Sequence, residues 1–325
     1  MVEGAGGGGC CRRPLTRRRD RLPPGAPPVT YSIVAIDPQT GELGAAVQSH
    51  WFSVGPIVPW ARPGIGAVAT QANVEPAYGP RLLDLLADGL DAPSALAQLV
   101  EQDPGAHGRQ VAVVDAAGRV GAYTGDECIP FAGHITGDGV SCQANIMASE
   151  TVWGAMLETF SATQGQRLQD RLLAALDAAE AEGGDIRGRQ SAAIVVVPAA
   201  GEAWESTVCL RVEDDPAPLV ELRRVMVLHD AYALADRGDA MVNEHRYAEA
   251  STLYRDAVEL APDAIELRFW AGIAAAQLGD LDTAVAEVRK VIEEAPGWRE
   301  LIGRLSDEVM PSISAVRDGL GIQAS

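Results

Sequence analysis

The chain has 325 residues, of which 47% are hydrophobic and 22% are charged, the balance of a soluble globular protein. Its formal net charge of −19 argues against a general nucleic-acid-binding protein, because phosphate contacts need clustered cations. The sequence contains no apolar run long enough for a transmembrane helix and no apolar segment typical of a secretory signal. We therefore expect a cytoplasmic protein with no nucleic-acid and no membrane partner.

Residues 1–29 differ in composition from everything that follows them. They hold six Arg against two acidic residues, a run of four Gly, and four Pro close to Val29. This composition predicts a disordered tail. Two alternatives stay open. A GTG codon encodes Val but also starts bacterial translation, so the start can be misassigned and Thr30 can be the first residue after removal of methionine. The segment can also be a propeptide cut before Thr30.

Regular structure is predicted from Thr30 onward. Alternating residues rich in β-formers predict two strands at Thr30–Asp37 and Glu42–Trp51, and two shorter extended segments within Ile57–Ala72. Amphipathic patterns predict helices near Pro80–Asp88 and Pro93–Gln102.

The same order of elements then recurs. Further strands are predicted at Gln110–Ala116, Arg119–Thr124 and Val140–Met147, and two helices follow at Glu150–Phe160 and Arg167–Glu182. The last two strands are predicted at Ser191–Pro198 and Ser206–Val212. Parallel strand–helix alternation and a glycine-rich phosphate loop are both missing from this text. Helix pairs between antiparallel strands indicate a layered α+β sandwich over residues 30–212.

The remaining third of the chain is predicted to be helical. Residues 213–229 are predicted as a linker and a helix, and residues 230–325 as helical repeats. The repeat has a period of 34, because Gly238 recurs as Gly272, Ala250 as Ala284 and Pro262 as Pro296. This spacing resembles the tetratricopeptide repeat, in which small residues let paired helices approach closely. A generic alanine-rich helical bundle is the alternative.

Thr30 carries the main chemical hypothesis. A threonine that opens the first strand of an antiparallel sandwich is typical of N-terminal-nucleophile hydrolases, in which the hydroxyl attacks and the α-amine is the general base. The α-amine has an ordinary pKa near 8, so part of it is neutral at pH 7. The mechanism requires Thr30 to be the first residue of the mature chain. The alternative is an ordinary threonine in a strand.

The text from Thr30 also resembles a bacterial family, the one named domain of unknown function 1028. The matching stretches are TYSIVAIDPQTGELGAAV, VPWARPGIGAVATQAN, PAYGPRLLDLLADG, RQVAVVDAAGRVGAYTG, CQANIMA and GGDIRGRQSAAIVVV. The resemblance covers about residues 30–212. It implies a four-layer αββα sandwich of the N-terminal-nucleophile-hydrolase type, followed here by an all-α tetratricopeptide-like domain, and an amide-bond hydrolase of unknown substrate.

Site residues follow from that resemblance. Thr30 would be the nucleophile, and the backbone around Gln71 and Ala72 would form the oxyanion hole. The remaining candidates for lining the site or tuning the nucleophile are Arg62, Asn145, Asp185, Arg187 and Ser191. For most of these, turn-making or helix capping is the competing explanation. The His and Cys residues show no metal-ligand spacing, so we expect no metal and no cofactor.

The sequence is compatible with two functions. The first is a threonine amidohydrolase that acts on a small amide or peptide-like substrate. The second is a non-catalytic scaffold whose repeats bind a protein partner. The only lysine is Lys290, in the repeats, so an arginine or hydrogen bonds would have to tune the nucleophile. A homodimer stays open.

Overall fold

The protein is described here by a computed structural model that covers residues 30–324. The segment 1–29, for which we predicted disorder or a misassigned start, lies outside the described residues. A mixed α+β domain comes first and a helical region follows it, as the sequence predicted.

Ten strands within residues 30–324 form two antiparallel sheets. The strands are β1 (Thr30–Ile36), β2 (Leu43–Ser49), β3 (Pro59–Arg62), β4 (Gly66–Ala72), β5 (Arg109–Asp115), β6 (Val120–Thr124), β7 (Gly133–Gly137), β8 (Val140–Asn145), β9 (Ser191–Val197) and β10 (Val208–Val212). One sheet has six strands in the order β10-β9-β2-β1-β8-β7, and the other has four in the order β3-β4-β5-β6. The strand β1 is therefore central in the larger sheet.

Ten α-helices accompany the strands in the described chain. They are α1 (Tyr78–Ala87), α2 (Ala92–Gln102), α3 (Val152–Ala162), α4 (Leu168–Ala181), α5 (Pro218–Asn243), α6 (Tyr247–Leu260), α7 (Ile265–Gln277), α8 (Leu281–Glu294), α9 (Gly297–Arg304) and α10 (Ile313–Leu320). Within residues 30–212, nearly all elements lie within a few residues of their predicted positions. The strand β7 was not predicted.

Alternation along the strands places the helices and sheets in layers. Tyr31 and Ile33 of β1 pack with α3 and α4, whereas Val34 and Ile36 pack against the four-stranded sheet. On the far side of that smaller sheet, Val68 packs with α1 and α2. The order is thus helix pair, larger sheet, smaller sheet, helix pair.

The layer between the two sheets changes character along the strands. At one end it is apolar, with Val34, Leu43, Ala67 and Val114 among its buried residues. At the other end the buried side chains are polar: Thr30, Ser32, Ser49, Gln71, Gln110, Gln143, Asn145 and Ser191. Buried polar groups are costly unless they are hydrogen-bonded, so this end needs a dense bonding network.

The helical region keeps the register of the predicted repeat. An added Cβ at Gly238 of α5 would lie 3.0 Å from the Tyr254 ring of α6, and one at Gly272 of α7 would lie 3.0 Å from Val288 Cγ2 of α8. The two close approaches are 34 residues apart on both helices, so the glycines allow equivalent helix pairs to pack. The helix α5 runs without a break across position 229, where we had placed the start of the repeats.

Within residues 30–324, no helix is both long enough and apolar enough to cross a bilayer.

Candidate functional site

Thr30 and Ser49 lie side by side at the polar end of the two sheets. They are register partners on the antiparallel strands β1 and β2. Thr30 Oγ1 donates a hydrogen bond to Ser49 Oγ at 3.1 Å, and both residues are buried. The hydroxyl of Thr30 is thereby held in one direction in the space between the sheets.

The backbone carbonyl of Thr30 is held from both sheets. Gln71 Nε2, from the four-stranded sheet, donates to Thr30 O at 3.1 Å. Asn145 Nδ2, from the neighbouring strand β8, donates to the same oxygen at 3.4 Å. Two amides therefore fix the position of the first described residue, and both were candidates from the sequence.

Gln110 connects these two amides. Its Oε1 accepts from Gln71 Nε2 at 2.7 Å and from Asn145 Nδ2 at 3.0 Å. Its Nε2 lies 2.9 Å from Ala144 O and 3.0 Å from Thr124 Oγ1. Rotation of the Gln110 amide would break bonds on both sides, so the network has a single hydrogen-bonded arrangement.

Ser32 and Gln143 fix the other side of Gln71. Ser32 Oγ donates to Gln71 Oε1 at 2.7 Å and accepts from Gln143 Nε2 at 3.2 Å. Gln143 Nε2 also donates to Ala69 O at 3.1 Å. All of these side chains are buried, so each bond is made away from competing water.

The donor groups nearest to Thr30 are therefore already used. Both hydrogens of Gln71 Nε2 and both of Asn145 Nδ2 have acceptors within the network. Asn145 Oδ1 is buried and has no hydrogen-bond partner among residues 30–324. The side-chain amides of Gln71 and Asn145 therefore have no free hydrogen for an oxyanion, whereas Asn145 Oδ1 is an unused acceptor.

A left-handed residue follows each of the two amides that donate to the Thr30 carbonyl. Ala72, directly after Gln71, has φ of 64°, and Ile146, directly after Asn145, has φ of 55°. A β-branched residue at positive φ is uncommon and strained. Such strain is found most often where a surrounding network fixes the backbone, which fits the position of both residues beside the amides.

The loop after α4 is tied to the same end of the larger sheet. Asp185 accepts from the backbone N–H of His50 at 2.8 Å and pairs with the Arg187 guanidinium at 3.1 Å. Met147 forms an isolated bridge with Asp185, which attaches the loop to the end of β8. Burial raises the pKa of the Asp185 carboxyl, and the Arg187 pair opposes that rise. Asp185 and Arg187 thus shape this loop.

Ser191 has a comparable structural bond set. It is the register partner of Ser49, and its Oγ donates to Trp51 O at 2.6 Å and accepts from Val54 N at 3.2 Å. These bonds hold the turn that follows β2. Ser191 therefore lies next to the Thr30–Ser49 pair, but its hydroxyl is directed to the backbone of that turn.

Arg62 is the one candidate that the structure does not bring to this end. It is the register partner of Gly66, at the opposite end of β4 from Gln71, about 17 Å away at the usual rise of a strand. Its guanidinium donates to Asp84 of α1 at 2.9 Å. In this structure Arg62 is too far from Thr30 to tune its hydroxyl.

Two parts of the chain match known protein families. Residues 30–222 match the family described as "Family of unknown function (DUF1028)". The chain belongs to this family. Residues 242–305 match the tetratricopeptide repeat, which confirms that part of the repeat prediction. No curated protein matches the chain.

Two solved structures are similar to the chain. A DUF1028 crystal structure from Silicibacter pomeroyi is 32% identical, with a TM-score of 0.55, over 61% of this chain and 88% of that one. Anbu, an ancestral beta-subunit from Yersinia bercovieri, is 10% identical, with a TM-score of 0.31, over 60% of this chain and 92% of that one.

In this DUF1028 chain, several residues of the network escaped sequence reasoning. Gln110 and Gln143 were not candidates, because an isolated polar residue in a strand carries no signal of its own. A usable signal was present in the strand period: inward-facing polar residues lie at the end of β2, near the start of β5 and at the end of β8. Within residues 30–324, no three His, Cys, Asp or Glu residues are grouped to hold a metal ion.

Proposed function

We propose that this protein is an N-terminal-nucleophile amidohydrolase in which Thr30 is the nucleophile and its own α-amine is the general base. One observation carries the proposal: the hydroxyl and the carbonyl of Thr30 are both held by buried hydrogen bonds at the start of a central strand. Three buried side chains bond to Thr30, and three further buried polar side chains hold two of those three in place, which an ordinary strand threonine does not need. The family match also begins at Thr30.

The layer order supports the same proposal. Two antiparallel sheets packed between two helix pairs, with a threonine opening a central strand between the sheets, is the four-layer αββα arrangement expected of N-terminal-nucleophile hydrolases. Thr30 points into the polar end of the intersheet layer, together with Ser49 and Gln71. A reactive hydroxyl in that position would be screened from bulk water.

The proposed reaction begins with the free α-amine of Thr30. The neutral amine takes the proton of Oγ1 as that oxygen attacks the substrate carbonyl carbon, and the carbonyl π electrons move to its oxygen. Ser49 holds the hydroxyl oxygen in place before attack. The only lysine in the described residues is Lys290 of α8, in the helical repeats. Hydrogen bonds, rather than a lysine, would therefore tune the reactivity of the Thr30 hydroxyl.

Asn145 has a specific place in this scheme. Its Oδ1 has no partner in the part of the chain that the structure describes, and Asn145 is the register partner of Thr30 on β8. This oxygen is suited to accept a hydrogen bond from the α-ammonium formed when Oγ1 loses its proton. The backbone N–H groups near Gln71 and Ala72 would stabilise the oxyanion, a contribution of about 3 to 4 kcal/mol in enzymes where it has been tested.

The tetrahedral intermediate then collapses. The carbon–nitrogen bond breaks, the leaving amine takes the proton from the α-ammonium, and an ester joins the acyl group to Thr30 Oγ1. Water, deprotonated by the same amine, attacks that ester and releases a carboxylic acid with regeneration of the hydroxyl. The substrate class is a small amide or peptide-like compound, and the reaction needs no cofactor.

A direct experiment tests the proposal. The chain would be produced with Thr30 as its first residue and assayed against a panel of amino-acid and dipeptide anilides. We expect hydrolysis that is lost in Thr30→Ala, partly kept in Thr30→Ser and unchanged in Thr252→Ala, an exposed threonine of α6. Labelling of Thr30 by a β-lactone, an acylating probe for activated hydroxyls, would locate the nucleophile independently of substrate choice. If the chain shows no hydrolysis and the probe does not label Thr30, the proposal is refuted.

The repeats favour a second, compatible function. Tetratricopeptide repeats generally mediate protein–protein interaction, and this match covers residues 242–305. A groove of about 450 Å³ between α6, α7 and α8 is lined by both signs of charge, including Arg255, Arg268 and Glu287. If the sandwich were non-catalytic, these repeats would be the functional part. Co-purification of one defined protein with wild-type chain, but not with Arg255→Glu, would support this function.

A further inference from the structure

A cavity lies at the end of the larger sheet opposite to Thr30. It has a volume of about 240 Å³ and lies between the β1–β2 turn, the β7–β8 turn, the end of α3 and the start of α4. Because β1 spans seven residues, the cavity and Thr30 are about 20 Å apart. The cavity therefore does not belong to the Thr30 site.

Arg171 is the buried cation of this cavity. Its side chain is only 6% exposed, and its guanidinium carbon lies 3.9 Å from the centroid of the Phe160 ring. Nη2 donates to Phe160 O at 3.3 Å, and Nε has no hydrogen-bond partner among residues 30–324. A guanidinium has five N–H donors, so most of its donor capacity is unused here. A buried charge in this condition is costly unless a further partner binds it.

The nearest carboxylate does not meet that need. Asp37 Oδ2 lies 3.8 Å from Arg171 Nη1, beyond hydrogen-bond distance, while Asp37 Oδ1 accepts from the backbone N–H of Gln39. Asp138 lines the same cavity from the β7–β8 turn and is exposed. The cavity thus contains one cation with free donors and two carboxylates with free acceptor capacity.

This charge arrangement selects a class of ligand. A simple anion would be attracted by Arg171 but repelled by Asp37 and Asp138. A simple cation would be attracted by the two carboxylates but repelled by Arg171. A molecule that carries both a carboxylate and an ammonium satisfies all three groups, since carboxylates bind the guanidinium edge in a two-bond geometry. The volume suits a molecule the size of a small amino acid.

We propose that this cavity is a second ligand site that binds a small zwitterion, with its carboxylate on Arg171 and its ammonium group between Asp37 and Asp138. The Phe160 ring lies 3.9 Å from the guanidinium carbon and limits rotation of the guanidinium plane. This proposal is independent of the hydrolase proposal, because none of its residues contacts the Thr30 network.

Binding would be measured by isothermal titration calorimetry on the full chain. The probes are glycine, L-alanine, L-serine and β-alanine, with acetate and ethylammonium as single-charge controls. We expect at least one zwitterion to bind with a Kd of about 1 mM or tighter, and each single-charge control to bind at least about tenfold more weakly.

Three variants assign the binding to this cavity. Ser161→Trp fills the cavity from an exposed position at the end of α3 and should abolish binding, whereas its neighbour Ala162→Trp, which is exposed and does not line the cavity, should leave binding unchanged. Asp138→Asn keeps the fold at an exposed turn and should weaken the zwitterion at least about tenfold. Absence of binding by every zwitterion, or binding that Ser161→Trp and Asp138→Asn do not change, would overturn the proposal.

Discussion

Thr30 Oγ1 donates a hydrogen bond to Ser49 Oγ across two neighbouring antiparallel strands, and both hydroxyls are buried. The strand register makes this pair: Thr30 opens β1 and Ser49 closes β2, so the two residues meet on the inward face. The same register places Asn145 on the other side of Thr30. Hydrogen-bonding groups therefore surround Thr30 on both neighbouring strands.

Replacement of Ser49 tests whether this pair positions the nucleophile. Ser49→Ala leaves Thr30 Oγ1 without its acceptor, so we expect the unfolding free energy to fall by about 1 kcal/mol. Hydrolysis by the chain that starts at Thr30 should fall by about tenfold or more, mainly in kcat. Ser53→Ala, a partly exposed serine in the next turn, is the matched control. Unchanged kcat in Ser49→Ala would assign the pair a purely structural role.

Gln110 is expected to dominate the stability of the intersheet network. Gln110→Met keeps similar volume but removes the acceptor of Gln71 and Asn145, which leaves buried donors unpaired. We expect a loss of about 2 to 4 kcal/mol in the free energy of unfolding. Gln102→Met, at the exposed end of α2, should stay within about 0.5 kcal/mol of wild type in the same urea titration. Equal effects of the two substitutions would contradict the network.

His134 should make stability depend on pH. Thr124 Oγ1 lies 2.8 Å from His134 Nδ1 and accepts from Gln110 Nε2, so its hydroxyl hydrogen points to a neutral imidazole. Partial burial lowers the pKa of His134 below its ordinary value near 6.5. The unfolded chain then binds the proton first as pH falls below about 6.5, and wild type loses stability down to the folded-state pKa.

The comparison variant is His134→Gln, which has no such titration. Above about pH 7.5 the difference in unfolding free energy between the two proteins should be constant, and below about 6.5 wild type should lose stability relative to the variant. Urea titrations across that range measure the difference. A difference that does not change with pH, or one that moves in favour of wild type on acidification, would contradict the assignment.

Glycine substitutions distinguish close packing from helix propensity. An added Cβ at Gly154 of α3 meets no atom within 4 Å, so Gly154→Ala should raise the unfolding free energy by about 0.5 to 1 kcal/mol. At Gly238 the Cβ would lie 3.0 Å from the Tyr254 ring, whose hydroxyl is bonded to Asp239. Gly238→Ala should therefore lower stability by about 1 to 3 kcal/mol. Stabilisation by both substitutions, measured by thermal unfolding, would contradict the packing of the repeat.

Most of the element order could be predicted from the sequence, because strand alternation and helical periodicity are local signals. The strand β7 could not. Its sequence, GHITG, has glycine at both ends, and it lies at the edge of the sheet, where none of its residues is buried. The length of α5 was also not predictable from composition, since the helical pattern continues across the boundary that the repeat period indicated.

The sequence singled out Thr30 and only some of the residues that surround it in the structure. Gln71 and Asn145 are 41 and 115 residues from Thr30 in sequence, and only the resemblance singled them out. A prediction of the role of Gln110 would have required knowing which strands face each other across the two sheets, and no local sequence pattern contains that information. Arg62 was a candidate for tuning the nucleophile only because of its charge. The strand register pairs it with Gly66, at the end of β4 that lies far from Thr30.

The most direct test of the central claim is the N-terminus of the protein isolated from cells that carry its native gene. Intact-mass measurement and N-terminal sequencing should show a chain that begins at Thr30 with a free α-amine. Such a chain has the base that the proposed mechanism requires. A native chain that begins upstream, with Thr30 joined to Val29 by a peptide bond, would contradict the claim, because Thr30 would then have no amine to activate its hydroxyl.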